Sequence, residues 1–213
     1  MTYYERNLPH WHPPGKDLFL TWRLYGSLPR PKASLSSGTA TPGCAGFSER
    51  GNTATPGCAR TGCSSPAKSG WATSAGKEFC LLDAILDKAL HGPLWLKDPR
   101  IAGCVVDTIE RGATVLRHYI LHAFVVMPNH VHLLIAPQMP LLRITNGIKG
   151  VSARDANRIL GRHGKHFWQD ESFDHWVRNA AAFDRIRRYI EQNPVSAGLA
   201  RRPEDWPWSS ASQ

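Results

Sequence analysis

A two-residue turn lies in the middle of the most apolar part of the chain. Residues 115–137 are rich in β-branched and other apolar side chains, and Pro128-Asn129 interrupts them. Proline and asparagine favour turns, and a connection this short joins strands that are antiparallel neighbours. The pattern predicts strands near 117–121, 122–127 and 130–136, of which the last two pair across the turn.

The flanking parts of the chain alternate between strand and helix patterns. Residues 17–25 predict a strand, because apolar and polar residues alternate there. We expect Gly112 to stop the second of four helices and the last to end before Asn193-Pro194, because the residue before a proline resists helical geometry. This order predicts an α+β fold in which helices pack on an antiparallel sheet. The predicted helices are 78–90, 99–111, 141–160 and 181–192.

Residues 31–77 differ from the rest of the chain in composition. Gly, Ser, Thr, Pro and Ala dominate, and the heptapeptide TATPGCA occurs twice, at 39–45 and 53–59. Such a segment cannot bury enough apolar surface to offset the entropy lost on ordering. We predict a low-complexity, disordered insert at 31–77. It separates an N-terminal arm and first strand, 1–30, from the remainder of the same domain, 78–213.

The charge of the chain favours a partner that carries phosphates. The net charge is +9 at pH 7, and lysine and arginine gain affinity for nucleic acid by releasing its counterions. A basic soluble protein without such a partner would have the same charge. There is no apolar run of about 18 residues for a membrane span, and the polar N-terminus does not resemble a signal peptide. We therefore expect a cytoplasmic protein.

His130-Val131-His132 falls within the last predicted strand. Side chains two residues apart on a strand share a face, so the two imidazoles are neighbours that could bind one metal ion. Val131 points to the opposite face, into the core. Such a pair taken alone is more often two packed histidines than a metal site.

Tyr189 and Asn193 lie one turn apart on the last predicted helix, and residues at i and i+4 share a helix face. Tyr189 falls on the shoulder of the apolar stripe, where a nucleophile is anchored yet reachable, and Asn193 could offer its amide oxygen to a metal. A tyrosine hydroxyl attacks a phosphodiester poorly unless a cation stabilises the developing charge. Two imidazoles and one amide oxygen suit Mg²⁺ or Mn²⁺. An ordinary boundary tyrosine is the alternative interpretation.

Arg185, Arg187 and Arg188 flank Tyr189 on the same predicted helix. They are candidates for holding DNA phosphates, although a run of charges is usually a solvated helix face. Together with the two histidines, Tyr189 and Asn193, these arginines favour a metal-dependent nuclease that uses tyrosine as its nucleophile.

Four segments in this order resemble the REP-associated tyrosine transposases, which are single-tyrosine transposases of the His-hydrophobic-His nuclease superfamily. The histidine pair and Tyr189 lie inside two of these segments, and residues 10–15 with the strand that follows extend the resemblance. The segments are MPNHVHLL at 127–134, LLRITNGIKG at 141–150, FWQDESFDHWVR at 167–178 and YIEQNPVSAGL at 189–199.

The resemblance implies a ferredoxin- or RRM-like sheet with His130 and His132 on a central strand. It implies a divalent metal on these histidines and Asn193, and attack by Tyr189 on single-stranded DNA that leaves a 5′-phosphotyrosine and a free 3′-hydroxyl. The implied substrate is hairpin-forming repeat DNA, bound by a monomer or a homodimer. Lys149, in the second segment, is a candidate phosphate contact.

Two other functions are compatible with parts of this pattern. A catalytically inactive or domesticated relative that only binds hairpin DNA or RNA would have the same fold and charge. A metallohydrolase of the amidohydrolase type also carries a His-x-His pair, but its barrel needs more residues than remain outside the insert.

Overall fold

The computed structural model describes residues 2–5, 9–12, 15–28 and 74–213. Most of the predicted insert therefore lies outside the described residues, and 74–77 are the first residues of a helix, which begins four residues before the predicted start. The strands are β1 (Thr2–Glu5), β2 (Pro9–His12), β3 (Leu18–Arg23), β4 (Tyr119–Val126), β5 (His130–Pro137) and β6 (Phe173–Trp176). The helices are α1 (Ser74–Asp87), α2 (Pro99–Thr114), α3 (Leu141–Ile159) and α4 (Ala180–Ser196).

Four strands form one antiparallel sheet in the order β4-β5-β3-β6, and β1 pairs with β2 in a separate hairpin. The elements β3, α2, β4, β5, α3 and β6 follow one another along the chain as β-α-β-β-α-β, which is the ferredoxin-like arrangement. The predicted α+β, ferredoxin-like fold is confirmed. Strand β5, which carries both histidines, lies between two neighbours.

The two faces of the sheet pack against different helices. One face places Leu20, Leu133 and their neighbours against the apolar stripes of α2 and α3. The other face places Phe19 and Leu134 in a smaller cluster with residues of α1 and α4. This division follows from the alternation of side chains along a strand.

The strand predicted at 117–121 and the strand predicted at 122–127 are a single strand, β4. The pairing with β5 shifts between Leu121 and Ala123, so an extra residue bulges out at His122. A bulge reverses the alternation of side chains at that point, which is why one strand reads as two in the sequence.

Helix α2 does not stop at Gly112 as predicted but runs on to Thr114. A Cβ at position 112 would overlap the Tyr119 hydroxyl, which donates a hydrogen bond to the Ile109 carbonyl at 2.6 Å. The glycine therefore serves close packing inside the helix.

Helix α4 also continues past its predicted end, to Ser196, with Pro194 inside it. The proline has no N–H to donate to the helical ladder, but the ladder resumes beyond it, where Ala197 N donates to Asn193 O at 2.9 Å. Asn193 is therefore helical and remains one turn from Tyr189. None of the helices in the described part of the chain is both long and apolar enough to cross a membrane.

Candidate active site

His130 and His132 lie on the face of β5 that points toward α1 and α4, and both side chains are fully buried. Their Nε2 atoms are 3.1 Å apart. The structure therefore brings the two imidazoles together around one point, as the strand alternation predicted.

Each imidazole is oriented through its other nitrogen. Asn129 donates its Nδ2 to the Leu86 carbonyl at 3.0 Å, so its Oδ1 accepts from His130 Nδ1 at 2.7 Å. His130 Nε2 is thereby left with its lone pair. The hydroxyl of Thr21, which lies opposite His132 in the β3–β5 ladder, is 2.7 Å from His132 Nδ1 and can hold that ring in the same tautomer. Such outer contacts orient metal-binding histidines.

Asn193 joins the histidines from helix α4. Its Nδ2 is 3.2 Å from His132 Nε2, and its side chain is buried. Its Oδ1 is also buried and has no hydrogen-bond partner among the residues that the structure describes. A half-turn of the amide exchanges the two atoms, so Asn193 is able to present an oxygen to a cation at the histidines.

Asp83 and Asp87 of α1 reach the same point, and the sequence analysis missed both. Asp83 Oδ1 is 3.3 Å from His132 Nε2 and 3.7 Å from His130 Nε2, and Asp87 Oδ1 is 3.7 Å from His130 Nε2. Asp83 and the two histidines each offer a ligand atom within 4.8 Å of the others. The overlooked signal is an aspartate within the apolar stripe of a helix, four residues after Phe79.

Tyr189 of α4 packs beside the histidines. Its ring centroid is 5.5 Å from that of His132 and 6.2 Å from that of Phe19. The residue is only 5% exposed, and its hydroxyl is buried with no hydrogen-bond partner in the described ranges. The expectation that Tyr189 is reachable is wrong for this conformation. On an isolated α4 the edge of the apolar stripe would be exposed. In the folded protein Tyr189 belongs to one apolar cluster with Phe79 of α1, so this position is buried.

Residues 105–193 match the family model described as "Transposase IS200 like". This segment of the chain is similar to the IS200-like transposases. The resemblance seen in the sequence is thereby confirmed. The matched segment contains His130, His132, Tyr189 and Asn193, but it begins after α1 and so excludes Asp83.

A solved structure of a REP-associated tyrosine transposase bound to a REP hairpin is similar in fold to this chain. The TM-score is 0.50 at 16% sequence identity, and the similarity covers 99% of this chain and 82% of that chain. At this identity the likeness concerns the fold alone. No curated protein is significantly similar in sequence.

The basic residues predicted to bind DNA lie apart from the histidines. Arg187 and Arg188 are exposed on α4, Arg185 is half-buried, and Arg187 forms an ion pair with Glu191 at 3.0 Å. Lys149 belongs to α3, and its Nζ donates to the Asp170 carbonyl at 2.8 Å. The structure therefore does not bring these cations to the buried centre.

A cavity of about 210 Å³ lies beside Asp83, between β3, α1 and the loop before β6. Phe79 and Phe173 form apolar parts of its lining, and Arg23 also lines it. Burial lowers the pKa of the Arg23 guanidinium, but arginine does not lose its proton in proteins. The carboxylates of Glu78, Asp83 and Glu171 line it as well, so the cavity combines aromatic rings with charges of both signs.

Proposed function

We propose that this chain is a transposase that cleaves and joins single DNA strands with a metal ion and a tyrosine nucleophile. The observation that supports this most is the position of Tyr189, whose ring lies 5.5 Å from the His132 ring. The Tyr189 hydroxyl is buried beside the two imidazoles without a hydrogen-bond partner among the described residues. A buried polar atom without a hydrogen bond lowers the free energy of unfolding by about 1–3 kcal/mol, so packing alone does not explain a tyrosine at this position.

The residues fit a divalent cation. His130 Nε2 and His132 Nε2 face one point, and Asn193 Oδ1 is buried without a hydrogen-bond partner among the described residues. Imidazole nitrogen and amide oxygen suit Mg²⁺ or Mn²⁺, with Mn²⁺ better matched to imidazole. A cation held there would polarise the oxygens of the scissile phosphate and stabilise the charge that develops on them.

The protein groups then have distinct tasks. The Tyr189 oxygen forms a bond to phosphorus while the bond from phosphorus to the 3′-oxygen breaks. The phenolic proton is lost to solvent, and the departing 3′-oxygen gains one, so the products are a 5′-phosphotyrosine and a free 3′-hydroxyl. Attack by a 3′-hydroxyl on the phosphotyrosine reverses these steps and joins strands, because the covalent intermediate conserves the phosphodiester energy.

Hairpin-forming repeat DNA is the proposed substrate. The match of residues 105–193 to the IS200-like transposase model and a fold shared with a transposase that binds a REP hairpin support this choice, as does the net charge of +9. We assign phosphate contacts to Arg185, Arg187, Arg188 and Lys149. Replacement of Arg187 by alanine should reduce the slope of log affinity against log salt by about one unit. An unchanged slope would remove this residue from the interface.

The nucleophile is tested by covalent trapping. The full chain, a labelled single strand that contains a hairpin, and Mn²⁺ should give a protein–DNA complex that survives denaturing electrophoresis. Tyr189→Phe should abolish it, and EDTA should abolish it in the wild type. Tyr119→Phe is the matched control, because Tyr119 is also buried but packs on the opposite face of the sheet. Equal trapping by Tyr189→Phe would disprove the assignment.

A hairpin-binding protein without catalysis is the second candidate, and the burial of the Tyr189 hydroxyl favours it. Such a protein would bind hairpin DNA or RNA equally well in EDTA and after Tyr189→Phe, with no cleavage product. The same samples therefore decide between the two functions.

A further inference from the structure

Helix α1 is an addition to the β-α-β-β-α-β core, and it lies over the histidines. Leu86 of α1 accepts the hydrogen bond from Asn129 in the β4–β5 turn. About two turns before Leu86, Phe79 stacks on Phe173 of β6 with ring centroids 4.2 Å apart. Phe79 also contacts Phe19 of β3 edge to face at 5.5 Å. Contacts with β3, β6 and the β4–β5 turn therefore fix the position of α1 on the sheet.

The buried side of α1 carries carboxylates where an apolar stripe is expected. Asp83 is 1% exposed, and Asp87, one turn later, is partly buried. Removing an aspartate from water costs several kcal/mol unless it is paired. Both carboxylates point at the histidine pair, at 3.3 Å and 3.7 Å.

Three acceptor atoms meet where Asp83 meets the histidines. His130 Nε2 carries a lone pair because its Nδ1 donates to Asn129, and Asp83 Oδ1 and His132 Nε2 lie 3.7 Å and 3.1 Å from it. Ligand atoms of Asp83, His130 and His132 all lie within 4.8 Å of one another, and imidazole nitrogen and carboxylate oxygen are both ligands of divalent cations. The geometry therefore favours a cation shared by β5 and α1.

We propose that Asp83 is a ligand of the cation held by His130 and His132, so that metal binding fixes helix α1 over the active site. This inference rests on the metal site of the proposed function. It adds a carboxylate from outside residues 105–193, the segment that matches the family model.

The ligand set has a chemical consequence. Two imidazole nitrogens, one carboxylate oxygen and the Asn193 amide would hold the ion and would leave room for phosphate oxygens to bind it. A carboxylate lowers the positive charge of the centre and raises its affinity for Mn²⁺ relative to a site of neutral ligands alone. Asp87, at the longer distance, serves as a carboxylate beside the ligand shell.

Calorimetric titration of the full chain with Mn²⁺ alone tests the ligand. Asp83→Asn and Asp83→Ala should each weaken binding at least about 10-fold, as loss of an outer contact already does in metal sites. Asp107→Asn, an exposed acid on α2, is the matched control and should bind like the wild type. Melting curves in EDTA show that each variant is folded before its affinity is compared.

Hydrogen exchange tests the link to the helix. Mn²⁺ should slow amide exchange in 78–87 of the wild type and should leave it unchanged in Asp83→Asn, whereas a merely structural aspartate would not make protection depend on metal. If Asp83→Asn binds Mn²⁺ with wild-type affinity while His132→Ala does not, this inference is wrong and the metal site of the proposed function stands. If the wild type binds no Mn²⁺, both are wrong.

Discussion

Neighbouring residues of strand β5 enter two different environments. Val131 and Leu133 point into an apolar core against α2 and α3, whereas His130 and His132 point into a polar centre beneath α1 and α4. All four are fully buried. Burial of the first pair stabilises the fold by about 1.5–3 kcal/mol per side chain. Burial of the second pair costs free energy unless each nitrogen has a partner.

The difference shows how one strand serves both stability and chemistry. The apolar face is assembled mostly from helices whose stripes pack along their whole length. The polar face collects single residues from distant parts of the chain, such as Thr21, Asp83 and Asn193, around the histidines. Substitutions on the two faces should therefore separate the proposed metal-dependent activity from folding.

The largest effect on activity is expected for His132→Ala. Loss of one imidazole should remove several kcal/mol of charge stabilisation, and each loss of about 1.4 kcal/mol is tenfold in rate, so covalent trapping with Mn²⁺ should slow at least about 1000-fold. The melting temperature in EDTA should fall less than for a core truncation. Wild-type trapping rates in this variant would show that the polar face is not the active site.

The adjacent residue should behave in the opposite way. Leu133→Ala removes a side chain with no exposure and should lower the free energy of unfolding by about 2–5 kcal/mol. At a temperature where the variant is folded, its Mn²⁺ affinity should equal that of the wild type. Chemical denaturation and calorimetric titration on one preparation measure both, and a matching loss of Mn²⁺ affinity would mean that the two faces are not independent.

A smaller effect is expected for Thr21→Val, which keeps the shape of the side chain and removes the hydroxyl 2.7 Å from His132 Nδ1. Mn²⁺ affinity should fall about 10- to 100-fold, because the ring loses the contact that fixes its tautomer. Thr108→Val is the same change on α2, where the hydroxyl donates to Cys104 O, and it should leave Mn²⁺ affinity unchanged. Equal affinities in both variants would contradict an orienting role for Thr21.

The sequence predicted the features that depend on local periodicity. Two histidines two residues apart on a strand must share a face, and a tyrosine and an asparagine one turn apart on a helix must do so as well. The structure places all four side chains together. The family resemblance supplied the register between strand and helix, which no local pattern contains.

Features that depend on tertiary contacts were missed. Asp83 reads as an ordinary polar interruption of a helix stripe until α1 docks over β5. The bulge at His122, the passage of α4 through Pro194 and the packing of Gly112 on Tyr119 are likewise set by neighbouring elements. Local sequence patterns describe an isolated segment, whereas the structure at these four positions depends on contacts with other elements of the fold.

We propose that Tyr189 is the nucleophile in a metal centre on the polar face. This assignment is tested by digestion of the trapped wild-type complex and mass spectrometry of the DNA-linked peptide. We expect a single peptide that contains Tyr189, with the nucleotide attached through its 5′-phosphate. An adduct on another residue, or strand cleavage in Mn²⁺ without any adduct, would show that the assignment is wrong.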